Sequence, residues 1–314
     1  MRVMSNSVER ASAEKESRES GQFLTGILCA VAGVLCFAPG ALFIRMAGGI
    51  DPLEITLHRM AIASIAIFVF SLFYKSDTGA KNLKECLELG SFGMIAAVHF
   101  GCFVASLSFT FVSHSLALCY TAPIFAALFS RVILSERCTV KQMWAIAVTF
   151  GGIFILVGFE PLISPKVLFG DFLALISGVA LGLYHTVSRM YRDKYTLLKY
   201  KANAYFFAAV YLFIVLMVLR FSFYGGFGSV YSAYSVAGVA ASAILCTLAG
   251  HALINFALRR VSTVLVSLIT TQEVTGGIIF AMIFLNETLS AASFAGIAVS
   301  LAGITLVILG AEKK

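Results

Sequence analysis

Long apolar runs, broken by short polar clusters, fill residues 22 to 310 of this chain. A membrane span needs about 20 mostly apolar residues. Ten such runs fall at roughly 22–46, 52–74, 87–109, 111–134, 140–159, 169–190, 203–220, 235–257, 261–285 and 289–310. They predict ten transmembrane helices, and several connections are so short that consecutive helices must be antiparallel neighbours. Residues 1–21 hold no such run, and their mixed charges predict a solvated, disordered cytoplasmic tail. No short apolar segment with a small-residue cleavage site precedes the first run, so no cleaved signal peptide is expected.

Composition agrees with the pattern. Of the 314 residues, 60% are hydrophobic and 12% charged, with a mean hydropathy of +0.93. A soluble domain carries about 25% charged residues, and a soluble chain of this length would lack the polar surface to cover itself. The expectation is a multi-pass protein of a bacterial cell inner membrane. Seven cysteines without paired spacing read as small apolar fillers, not as disulfides or a metal site.

The net charge of +7 reads as topology and not as nucleic-acid binding, because the cations flank spans. With the N-terminus inside, cytoplasmic segments collect Arg2, Arg10, Lys15 and Arg18; Lys75, Lys81 and Lys84; Arg131, Arg137 and Lys141. They also collect Arg189, Arg192, Lys194, Lys199 and Lys201; Arg259 and Arg260; Lys313 and Lys314. The other side keeps Arg45, Lys166 and Arg220. Both termini are therefore expected in the cytoplasm. Trp144, Tyr191, Tyr195 and Tyr200 fall near the inner interface, where amphipathic rings prefer to sit.

The chain also repeats itself. The stretch AIAVTFGGI (145–153) matches GIAVSLAGI (296–304) at an offset of 151, and the same offset sets LFSRVILSE, ending at Glu136, on FAMIFLNE, ending at Glu287. A looser match joins 32–46 to 177–190. Each half, 22–160 and 168–310, then holds five spans, and an odd number inverts the second half in the membrane. Such inverted repeats build many secondary transporters. On span ten, Gly296, Gly303 and Gly310 recur every seven residues. Ala145 and Gly152 give span five a similar face, so the two spans are expected to form a small-residue packing seam away from the cavity. A homodimer contact there is the less favoured use.

In span four, SHSLALCYTAPIFAALFSRVILSERCT has small residues, a mid-helix proline and a terminal glutamate. With the repeat, it resembles the drug/metabolite transporter superfamily in its ten-helix EamA-type form. The resemblance implies a central cavity lined mainly by helices one, three, four, six, eight and nine, in a family that moves amino acids, nucleotide-like metabolites and other small organic molecules. Span nine departs from the family pattern: Glu273-Val274 stands where Glu-Pro is common. The missing proline leaves a kink there unexplained, although Gly276 and Gly277 would loosen the helix.

Candidate chemistry lies on polar stripes at helical spacing. Span nine carries Thr270, Glu273 and Gly277, with Gln272 adjacent; span three carries His99, Cys102 and Ser106. Span eight carries Thr247, His251 and Asn255; span six carries Ser177, His185 and Ser188, with Tyr184 adjacent. Tyr120 and Thr121 precede Pro123 in span four. Lipid cannot satisfy these groups, so they are expected to turn inward.

Glu273 stands out, because a carboxylate in mid-span costs roughly 2.5–3.5 kcal/mol on insertion scales. Three roles remain open for it: a proton carrier, an ionised partner for a substrate ammonium, or a protonated structural carboxyl. Arg59, near Glu54 and His58, has a structural reading by pairing and snorkelling, and a binding one for an anionic substrate. Any single histidine reads more simply as an interhelical hydrogen-bonding group. Glu136 and Glu287 are expected to close their helices, and Asp171 to cap span six.

A secondary transporter is thus expected, moving a small polar metabolite such as an amino acid by alternating access, with proton coupling through Glu273 as a hypothesis. The alternative substrate is a nucleotide-like or organic-anion metabolite held by Arg59. An intramembrane enzyme is disfavoured, because no His-Glu-x-x-His or clustered Asp motif appears. No cofactor and no metal are expected. The expected partners are substrate, protons and the lipid bilayer, for a monomer or homodimer.

Overall fold

Inside a bilayer, backbone N–H and C=O groups must find partners within their own segment, so each apolar run folds as a helix. The computed structural model describes residues 2–110, 112–157, 164–224, 229–285 and 291–311. Its helices are α1 (Arg2–Phe37), α2 (Gly40–Met46), α3 (Pro52–Phe73), α4 (Leu83–Ser106), α5 (Val112–Cys119), α6 (Ala122–Ile133) and α7 (Val140–Val157). They continue with α8 (Pro165–Met190), α9 (Leu197–Leu219), α10 (Ala233–Ala241), α11 (His251–Leu258), α12 (Thr263–Thr270), α13 (Glu273–Leu285) and α14 (Ala291–Ala311). A π-helical segment, Ser242–Gly250, joins α10 to α11 without a break.

Among the described residues, seven helical stretches, two of them broken within, are long and apolar enough to cross a membrane. Two shorter apolar helices, Val140–Ile155 and Phe294–Leu306, and the broken pair α12–α13 occupy the remaining predicted spans. The apolar side chains outside the bundle (Leu35, Leu72, Phe73, Phe154 and Phe221 among them) are exposed, as lipid-facing residues should be. This is an all-α, polytopic, integral membrane protein.

Local signals set the helix starts. Asp51 accepts from the Leu53 N–H ahead of Pro52, and Ser164 accepts from Val167 ahead of Pro165. Both are N-caps followed by a proline at the first helical position, where a missing N–H costs nothing. Asp171, expected to cap span six, instead lies two turns inside α8, where it accepts from Thr110 and pairs with His114. The N-terminal tail, expected to be disordered, is helical from Arg2 onward; its Ala, Glu, Lys and Arg residues are good helix formers.

Two spans break at matching places. Span four stops at Cys119 and resumes as α6 at Ala122, with Pro123 unable to continue the hydrogen-bond ladder. Span nine stops at Thr270 and resumes as α13 at Glu273, which lies 151 residues after Ala122. No proline makes that second break. Thr270 and Thr271 turn their hydroxyls back onto the carbonyls of Ser267 and Leu268, at 2.7 and 2.6 Å. Such bonds compete with the helix ladder, and the Gln272 N–H is left on Ile269, three residues back.

The expected seam is present: α7 packs along α14. A Cβ on Gly152 would run into the Ser300 backbone and the Gly296 carbonyl; one on Gly303 would meet Thr149 and the Ala145 carbonyl. Gly152 and Gly303, Thr149 and Ser300, and Ala145 and Gly296 are each 151 residues apart. On the other flank α3 lies along α9, and between the two seams α4 packs on α8 and α1 on α11.

Buried charges are paired near the bundle ends. Arg220 meets Glu54 at 2.8 Å, and Glu54 also accepts from Ser229 and Tyr231. Arg59 was expected near Glu54, but Arg220 takes that carboxylate. At the opposite end Arg189 donates to Glu136 and to the carbonyls of Leu258 and Val261. Glu136 therefore locks two helices together and does more than close its own. Lys194 and Tyr195 share Glu88; burial, with this carboxylate, pushes the Tyr195 phenol up to about 12, so it acts there as a neutral donor.

Tyr195 and Tyr200 are buried against Phe92 instead of lying in an interfacial belt, whereas Trp144 is exposed. Lys199 and Lys201 are both buried: Lys199 is 3.0 Å from Glu85, and Lys201 sits within the bundle. Neither is a free loop cation. Glu287, Lys313 and Lys314 lie outside the described residues.

Two stability outcomes follow from these contacts. Gly152→Val should destabilise the purified protein by about 1–3 kcal/mol through overpacking, whereas Gly151→Ala, with nothing within 4 Å of the added carbon, should leave thermal unfolding unchanged. Arg220→Met strands the buried Glu54 carboxylate and should cost about 3–5 kcal/mol, read as a lower unfolding midpoint.

Candidate functional site

A cavity of about 250 Å³ opens between the α1–α2 break, α3, α4, α5, α8, the π-helical segment and the α12–α13 break. It runs from mid-span toward the end of the bundle where α4 finishes, reaching Ile44 and Leu107. Chain breaks border it because only there can irregular backbone be tolerated at membrane depth, facing a cavity and not lipid. The π-helical segment turns Ser242 and Cys246 to the cavity; π segments recur at functional sites for this reason.

Six of the expected site residues line it: Arg59, His99, Tyr120, His185, His251 and Glu273. Glu273 is the first residue of α13 and is part-exposed, so its carboxyl is reachable from the cavity while sitting at the positive end of a half-helix. Tyr120, at the matching break in span four, packs on Val274. Arg59 donates from Nε to the Thr247 hydroxyl at 3.1 Å and stands over the Phe100 ring. The structural reading by pairing with Glu54 therefore fails for Arg59; its guanidinium belongs to the cavity.

The histidines are held differently. His99 Nδ1 lies 2.9 Å from the Ser177 hydroxyl, and His185 Nδ1 lies 2.7 Å from that of Ser267. Both rings line the cavity. His251 packs among Phe37, Phe100 and Tyr184, and its buried Nδ1 has no hydrogen-bond partner. His58 bonds to the Glu54 carbonyl, away from the cavity.

Four expected site residues do not line the cavity. Thr121 bonds back to Leu118 and borders the α8 contact at Gly178. Gln272 reaches Ser300 at 2.8 Å, tying the span-nine break to α14. Asn255 and Tyr184 lie on the far side of the histidines: Asn255 accepts from Ser188, and Tyr184 accepts from Lys201.

Sequence patterning missed most of the wall. Phe37, Ile44, Phe100, Phe103, Leu107, Leu116 and Leu181 are apolar, and nothing in their local pattern separates a cavity face from a packing face. Cys119 and Cys246 also line it, so they are more than fillers; all seven thiols are free. Among the described residues no three His, Cys, Asp or Glu side chains gather closely enough to hold a metal ion.

A bundle of apolar helices, broken at mid-membrane around an internal cavity whose mainly apolar wall carries a few ionisable groups, is an arrangement that membrane transporters use for solute binding. The chain belongs to the EamA-like transporter family, whose profile matches residues 24–158 and again 168–309. An uncharacterized transporter of Archaeoglobus fulgidus is 24% identical over 283 residues, covering 87% of this chain and 93% of that one. The uncharacterized transporter YcxC of Bacillus subtilis (strain 168) is 25% identical over 275 residues, covering 84% and 86%. One crystal structure superposes with a TM-score of 0.77 at 15% identity, covering 94% of this chain and 98% of the other; that likeness concerns the fold alone.

Proposed function

We propose that this chain is a secondary transporter that moves a small zwitterionic metabolite, of the amino-acid class, by alternating access. The observation that carries this reading is the pairing of Glu273 and Arg59 in one cavity without a salt bridge between them among the described residues. A carboxyl steadied by the Tyr120 hydroxyl, and a guanidinium with no carboxylate partner among the described residues, suit a ligand bearing both an ammonium and a carboxylate. The guanidinium fork matches carboxylate geometry. The apolar walls suit a hydrocarbon or aromatic side chain, as in ligand pockets generally.

Alternating access is supported by the recurrence of contacts at an offset of 151. Spans four and nine break at equivalent residues, and the α7–α14 seam maps onto itself when the halves are exchanged. The twofold match of the family profile supports the same division, into 22–160 and 168–310. Two inverted halves exchanging conformations would open the cavity first on one face and then on the other. With the termini in the cytoplasm, the Arg189–Glu136 and Glu88–Lys194–Tyr195 ties close the cytoplasmic face and the cavity faces outward.

Proton coupling is assigned to Glu273. A carboxyl in a dry cavity holds its proton and releases it when wetted, and one proton crossing 100 mV carries about 2.3 kcal/mol. The test is transport of labelled amino acids by the full chain in proteoliposomes, with and without a pH gradient. Glu273→Gln should still fold but bind the solute more weakly and lose its dependence on the gradient; gradient-driven accumulation that persists in this variant rules out the assignment. Arg59→Met should weaken apparent affinity about 10–100-fold, or about 1.4–2.8 kcal/mol, and unchanged affinity would remove Arg59 from the site.

A further inference from the structure

Lys201 is a buried lysine that the cavity leaves unexplained. It is 1% exposed, inside α9, and its ammonium has no carboxylate partner among the described residues. Its bonds go to two phenols: the Tyr184 hydroxyl, and the Tyr205 hydroxyl at 2.9 Å. Both rings also lie beside the charge, with centroids 5.0 and 4.7 Å from Nζ. An ammonium has three donors, and two are used. A lysine amine sealed without a counter-charge is expensive to protonate, and an ionisable residue in a membrane segment is a functional group by default.

Its position relative to Arg59 is specific. Tyr205 donates onward to the Thr247 carbonyl at 2.9 Å, and Arg59 donates to the hydroxyl of the same Thr247. One residue of the π-helical segment thus separates the Arg59 guanidinium in the cavity from the Lys201 amine sealed beneath it. Around the sealed group stand Tyr184, Asn255 with Ser188, and His251, whose buried Nδ1 has no partner among the described residues. Toward the bundle end beyond them come the Tyr195–Glu88–Lys194 and Arg189–Glu136 ties.

We propose that Lys201, with the Tyr184 and Tyr205 hydroxyls, is a second carboxylate-binding subsite, covered in this conformation and exposed when the cavity opens to the cytoplasm. Arg59 holds the acid group of the solute in the conformation described, and Lys201 receives it in the opposite one. The transferred group supplies the counter-charge that Lys201 lacks here. The inference rests on the alternating-access reading above, but it does not require the solute to be an amino acid.

The test uses the wild-type full chain, reconstituted in one known orientation, and the anionic amine reagent trinitrobenzenesulfonate, with modification of Lys201 read by peptide mass spectrometry. Lys201 should be modified when the reagent is added on the cytoplasmic face and spared when it is added outside. L-phenylalanine at about ten times its Kd on the cytoplasmic side should reduce the modification about tenfold relative to the exposed Lys81 in the same sample, which corrects for reagent consumed by the solute's own amine; phenethylamine, which lacks the carboxylate, should not. Failure to modify Lys201 from the cytoplasm, equal modification from both faces, or equal protection by the amine overturns the proposal. Protection by phenylacetate but not by L-phenylalanine keeps the subsite and removes the amino-acid reading. Transport of amino acids with an inert Lys201 does the reverse.

Discussion

Each polar or charged group in this chain has to be satisfied without bulk water, and the placement of side chains in the bundle follows from that constraint. A lone charge in hydrocarbon costs several kcal/mol, so it pairs, reaches an interface or borders a cavity. Glu54 and Arg220 pair at one end, and Glu136 and Arg189 at the other. Glu273, Arg59 and the three histidines border the cavity. Lys201 is the exception: among the described residues its amine bonds only two phenols and meets no carboxylate.

The same constraint explains where the helices may break. Freed backbone groups are tolerable only where protein or a cavity receives them, and the interruptions at Pro39, at Tyr120–Thr121 and at Thr271–Gln272 border the cavity or its immediate neighbours. In span four a proline causes the break. In span nine two hydroxyl-bearing residues, Thr270 and Thr271, offer the backbone competing local bonds. Two different chemistries thus produce one geometry at equivalent positions, and each places a half-helix start against the site.

Rigid and mobile parts are distributed accordingly. The α7–α14 seam is close-packed backbone, where Gly152 and Gly303 leave no room for a side chain. Such a seam holds its geometry while neighbouring elements rearrange. The closed end, in contrast, is tied by ion pairs and hydrogen bonds among Glu88, Lys194, Tyr195, Glu136 and Arg189. Contacts of that kind exchange for water at little cost, so this end is held less tightly than the seam.

Hydropathy alone determined the all-helical, multi-pass class, the positions of the spans and the self-similarity at an offset of 151, because burial in lipid imposes length and apolarity on every span. It also marked Glu273 and the histidines, since a polar residue in an apolar run is conspicuous. Tertiary structure decided the rest. Arg59 faces the cavity because Arg220, distant in sequence, takes Glu54. Lys201 is interior and not interfacial because α9 begins at Leu197, two turns before its apolar run becomes continuous. Tyr184 and Asn255 lie beyond the cavity because Lys201 and Ser188 claim them. Most of the cavity wall is apolar, and an apolar side chain has the same signature whether it meets lipid, another helix or a solute; only the packing of distant spans separates the three.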